Sequence, residues 1–226
     1  MRKVVPRVEA VIRLLWTSGG ERRLPTAAAF DRAVSKLRRG ELERICEFGL
    51  FGPIYLIPTP PFLRALARRI RETGARTVVE VAAGDGHLSR TLARAAPDLR
   101  LTATDSGQWE RPQARMSAAE RRALQNTEVA GLRPGEGVLR LGAVEAIRKL
   151  KPDLVLASWL PPGPLLGQII RAAPKVLEIG AGSGITGDIG CWRYPHDFCD
   201  DLDALGRCRL DERPAKQIHT RVTLYG

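Results

Sequence analysis

The sequence predicts an α/β fold: a parallel sheet flanked by helices, with an antiparallel hairpin at its C-terminal end and a helical cap at its N-terminal end. Three observations lead there. From residue 76 onward, short apolar runs alternate with helix-period segments, as a parallel sheet with crossover helices requires. The first of those runs, Val78, Val79 and Val81, passes directly into glycines and then into a helix-period stretch. The first 50 residues, in contrast, show helical spacing and no strand pattern. At 226 residues with 44% apolar side chains, the chain buries one core with an appendage more readily than two full domains.

The elements follow in order. In the cap, Val8, Val11, Ile12, Leu15 and Trp16 share a helical face that Ser18-Gly19-Gly20 ends. Residues 25–37 read as a second helix, with Thr26 placed to cap it and Gly40 to close it, and 41–50 as a third. Residues 51–61 hold too many prolines for a helix or a central strand, so they read as an extended linker or lid. The next helix begins at Thr59 and its prolines, buries Phe62, Leu63, Leu66, Ala67 and Ile70, and stops at Gly74. These boundaries give a cap over 1–50, a linker over 51–61 and a main domain over 62–226. Within that domain, strands are expected over 78–81, 99–104, 138–141, 153–157 and 176–179, with helices over 87–96, 143–150 and 164–173 between them. Residues 207–211 and 218–225, joined around Arg213-Pro214-Ala215-Lys216, read as the closing hairpin.

The chemistry points to the first strand's end. Glu80-Val-Ala-Ala-Gly84-Asp-Gly86 lets the backbone turn tightly against a ligand, and Asp105 stands 21 residues beyond Gly84 at the tip of the neighbouring strand. There a carboxylate can accept hydrogen bonds from both hydroxyls of a ribose. A pyrophosphate-binding turn would carry a third glycine where Ser89 stands, and Glu80 would repel a pyrophosphate. The arrangement instead resembles motif I of the class I, Rossmann-like S-adenosylmethionine (SAM) methyltransferases, E/D-x-G-x-G-x-G, with Ala82 in place of the first glycine. The resemblance covers residues 60 to 226. It implies that Glu80 anchors the methionine end of S-adenosyl-L-methionine, that Ala82, Gly84 and Gly86 let the backbone approach it, and that Asp105 holds the ribose. His87 and Ser106 fall beside that pocket by position, and backbone groups of Gly142 and Ala143 would meet the adenine.

Glu178-Ile-Gly180-Ala-Gly182-Ser-Gly184 fits the same pattern more closely, yet it comes too late in the chain for the remaining strands to follow it. It reads as a glycine-rich loop on the substrate side. The end of the fourth strand, Ser158-Trp159-Leu160-Pro161-Pro162, resembles in altered order the (D/N/S)-P-P-(Y/F/W) loop of N-methyltransferases. By that resemblance Ser158, Trp159, Pro161 and Pro162 position a nitrogen acceptor, with Ser158 also facing the cofactor. The implied activity is methyl transfer from SAM to nitrogen, with the acceptor open between nucleic acid and a small molecule or peptide. The alternative is a nucleoside-binding module without catalysis.

Charge and cysteines refine this. The net charge is +11, and residues 1–74 hold 15 basic against 7 acidic side chains, a footprint that could meet nucleic acid or simply solvate a face. The longest uncharged stretch, 154–170, is broken by Pro161, Pro162 and Pro164, and no secretory signal is visible, so a cytoplasmic protein without membrane contact is expected. Cys46, Cys191, Cys199 and Cys208 match no compact metal-ligand spacing, and a disulfide among the last three stays open.

Overall fold

The computed structural model describes residues 5–47, 53–110, 131–181, 185–209 and 220–226. Three helices open the chain: α1 (Pro6–Leu15), α2 (Ala27–Val34) and α3 (Glu41–Glu47). The hydroxyl of Thr26 accepts from the Ala29 amide and caps α2 as expected. These helices have a core of their own in which Val11, Leu15, Trp16, Phe30 and Leu42 pack against Ile54 and Ile57 of the linker.

The main body alternates as α4 (Pro60–Glu72), β1 (Thr77–Val81), α5 (His87–Ala95), β2 (Arg100–Asp105), β3 (Leu139–Arg140), α6 (Ala143–Leu150), β4 (Leu154–Ser158), α7 (Leu165–Ala172) and β5 (Val176–Ala181). It closes with a 3-10 turn over Ile189–Arg193, β6 (His196–Phe198), α8 (Asp200–Asp203) and β7 (Thr220–Tyr225). The seven strands lie in the order β3-β2-β1-β4-β5-β7-β6, parallel through β5 and antiparallel at β7 and β6. Two-residue alternation sends Val78, Leu154, Leu156 and Leu177 to one face, against α4 and α5, and Val79, Val81, Val155 and Ala157 to the other, against α6 and α7. The order reverses between β1 and β4, which opens a crevice at their carboxyl ends.

One strand differs from expectation. Beside β5, the antiparallel partner of β7 is His196–Phe198, with His196 opposite Tyr225; of the expected strand over 207–211 only residues 207–209 are among those described. Cys208 instead makes a single antiparallel bridge to Leu56 of the linker. The three residues His196–Phe198 are too few to show an alternating pattern, whereas 207–211 stands next to the charged turn that suggested a hairpin. The proposed turn itself, and Gly182 and Gly184, lie outside the described residues. The four cysteines are buried, and no disulfide joins them. Among the described residues no helix is long and apolar enough to cross a membrane, and no cluster suited to a metal ion occurs.

Candidate functional site

The crevice at the β1 and β4 ends is a narrow cleft of about 70 Å³, and its floor is the glycine loop. Ala82 leaves β1 with φ 52°, a left-handed conformation that glycine adopts freely and alanine only under strain of about 1–2 kcal/mol. Position 82 is therefore one where a glycine would sit without strain. Gly84 and Gly86 also have positive φ, and both are tightly packed from above. A methyl group on Gly84 would meet Leu132 Cδ2 at 2.8 Å, and one on Gly86 would meet Val138 Cγ2 at 2.7 Å. The glycines therefore serve the segment leading into β3 as well as any ligand.

Glu80 is 2% exposed, and its carboxylate accepts from the Ser89 amide at 2.9 Å, capping the first turn of α5. Burial pushes it up to about 7, with the Ser89 bonds acting the other way. Asp105, 8% exposed, accepts from the Gly84 amide at 2.9 Å through one oxygen and from the Gly107 amide at 2.7 Å through the other. It thus ties the glycine loop to the end of β2, and one lone-pair site remains on each oxygen for a further donor. His87 opens α5; burial, and then Arg22, lower it to about 3, so its ring is neutral at physiological pH.

The structure gathers Glu80, Ala82, Gly84, His87, Ser158 and Trp159 around one cleft. Among the described residues, Gly86, Asp105, Ser106, Gly142, Ala143, Pro161 and Pro162 do not line it. Gly142 and Ala143 start α6 instead, and Ser106 is exposed. Trp159, with φ 55°, is the second strained non-glycine residue of the site, held by its amide donating to Ile179 O at 2.7 Å. Its ring stacks on Tyr55 at 5.9 Å between centroids, and the Arg209 guanidinium lies over the same tyrosine, 4.7 Å from its ring centroid.

Two walls come from outside the sheet: one from the stretch read as an extended linker or lid, and one, not foreseen from the sequence, from the cap. Tyr55 and Pro58 come from the linker, and Arg22 comes from the cap, its Nη1 3.5 Å from Asp85 Oδ2. Three buried polar groups around the cleft have no hydrogen-bond partner: Arg22 Nε, His87 Nε2 and Trp159 Nε1.

No family model matches the sequence, and no curated protein matches it. Among solved structures the chain is similar to the methyltransferase domain of bacterial CtHen1, at 10% identity and a TM-score of 0.43, over 72% of this chain and 96% of that one. It is also similar to a structure described as a putative caffeoyl-CoA O-methyltransferase from Staphylococcus aureus, at 11% identity and a TM-score of 0.42, over 88% and 98% of the two chains. A third is the plantazolicin methyltransferase BpumL in complex with an analogue and SAH, at 10% identity and a TM-score of 0.37, over 73% and 85%.

Proposed function

We propose that the chain is a SAM-dependent methyltransferase that acts on nitrogen. The observation that carries this reading is the cleft over Glu80–Gly86, with three orphaned polar groups on its walls and Asp105 fixed behind its glycine loop. The residues fit the cofactor. Asp105 has acceptor capacity left for the ribose hydroxyls, Gly84 offers close backbone approach, and buried Glu80 favours a cationic group beside it. When bound, SAM supplies an electrophilic methyl group on a sulfonium.

The protein's own work is alignment and exclusion of water. Ser158 and Trp159 both line the cleft at the end of β4, so in this reading the two orient an amine whose lone pair points into the cleft. A neutral amine needs no strong base, and His87 lines the cleft as a neutral ring.

The cap over 1–50 and the linker over 51–61 form a recognition element in this reading, and the protein works in the cytoplasm. Arg23, Arg32, Arg38 and Arg39 are exposed on the cap and offer a footprint for nucleic acid, with a small molecule or peptide as the other acceptor class. One observation favours a non-catalytic binding module: Tyr55 covers the Trp159 face that an acceptor would use.

Isothermal calorimetry with SAM and with S-adenosylhomocysteine tests the reading, and a dissociation constant in the micromolar range or tighter is expected for each. Failure of the folded protein to bind either would refute it. Binding without methyl transfer to RNA, peptide or amine pools would leave the binding-module alternative standing.

A further inference from the structure

The cleft has a wall that the sheet does not build. Arg22 follows α1 in a stretch whose only ladder contact is the Trp16–Arg22 bridge, yet its side chain is 13% exposed and reaches across to the glycine loop. Its hydrogen bonds there are long: 3.5 Å to Asp85 Oδ2 and 3.3 Å to Leu56 O. Its Nε is buried without an acceptor. A guanidinium withdrawn from water is stable only when its five N–H groups are well met, and these are not. Burial accordingly lowers Arg22 from its ordinary value, with Asp85 offsetting part of the effect. Asp85 is divided as well, since its Oδ1 accepts from the His87 amide at 3.0 Å and only Oδ2 turns to Arg22.

We infer that Arg22 is the carboxylate-binding residue of the cleft, so that the amino-acid end of the ligand is read from the N-terminal cap. This rests on the reading of the cleft as a SAM site. An α-amino acid brings a carboxylate and an ammonium about one residue's width apart, and the loose Arg22–Asp85 pair is matched to both. The carboxylate meets the under-satisfied guanidinium and the positive end of α5, while the ammonium meets Asp85 and Glu80. The nucleoside end is held elsewhere, because Asp105 lies behind Gly84 and outside the cleft lining. Cap and sheet thus each hold one end of a single ligand.

Calorimetry on the full chain separates the outcomes, using S-adenosylhomocysteine, which has the amino-acid end, and 5′-methylthioadenosine, which lacks it. Arg22→Gln is expected to weaken S-adenosylhomocysteine by about 10- to 100-fold, the effect of removing one charge-assisted hydrogen bond, and to leave methylthioadenosine within about twofold. Arg22→Lys is expected to recover part of the affinity, since it keeps the charge without the fork. Equal weakening of both ligands, or of neither, would overturn the inference. Wild-type protein that binds neither ligand would overturn the cofactor reading itself. Should Arg22→Gln fail to fold, the wild-type protein still decides: a decarboxylated S-adenosylhomocysteine must bind about tenfold more weakly or worse, and equal affinity would sink the idea.

Discussion

Glu80→Gln separates burial of a carboxyl from burial of a charge. Glu80 is held at about 7 against an ordinary value of 4.5, chiefly because it is buried at the β1 end, with Ser89 acting the other way. A carboxyl raised in the folded state binds its proton more tightly there than in the unfolded chain. Its contribution to stability is therefore complete below pH 4.5 and is lost as pH rises through 7. At about 1.4 kcal/mol per pH unit, the interval amounts to about 3 kcal/mol. Glutamine keeps an oxygen for the Ser89 amide but never ionises. Urea unfolding at pH 4, 5, 6, 7 and 8 should give nearly equal stability for variant and wild type at pH 4, with the variant gaining about 3 kcal/mol by pH 8. Taking the difference at each pH cancels the opposing titration of His87, which is lowered and destabilises as pH falls. A constant offset across the series would refute the argument, because it would mean Glu80 titrates alike in both states.

Asp105→Asn turns an amide nitrogen toward either the Gly84 or the Gly107 N–H, so urea unfolding should show a loss of about 1–3 kcal/mol, and calorimetry a weaker methylthioadenosine complex. Unchanged nucleoside affinity would remove Asp105 from the ribose. If the exposed cap arginines meet RNA, replacing Arg23, Arg38 and Arg39 with Gln should lower the log-log salt slope of RNA binding, measured by fluorescence anisotropy, by roughly 0.7 to 0.9 for each phosphate no longer neutralised. No RNA binding by the wild-type protein at low salt would leave a small acceptor as the better proposal.

The sheet was readable because its signals are local. Val78 to Gly86 encodes a buried strand, a tight turn and a helix start within ten residues, and the 21-residue step to Asp105 needs only the next strand. Ser158 and Trp159 were found by the rule that loops at a strand-order reversal carry function. Arg22 was not readable as a cleft wall, since it contacts Asp85 across 63 residues and stands in an arginine-rich stretch where one cation looks like another. Tyr55 left a weak signal, an aromatic in a proline-rich linker, but its partner Trp159 lies in another element. The short β6 escaped because three residues cannot display a period of two.

The central place of β1 also governs when the cleft can come into being during folding. On one side β1 pairs with β2, Thr77 opposite Arg100; on the other it pairs with β4, Val78 opposite Leu154. Closing the second loop is entropically dearer than the first by only about 1 kcal/mol, since the cost grows with the logarithm of length. The larger consequence is temporal. As the chain emerges from the ribosome, the glycine loop can form beside β2 while Ser158 and Trp159 have yet to be synthesised, so one edge of β1 waits unpaired for more than 70 further residues. An exposed Val-rich edge of that kind is the part of the nascent chain most open to mispairing, and β4 is the element that ends the exposure.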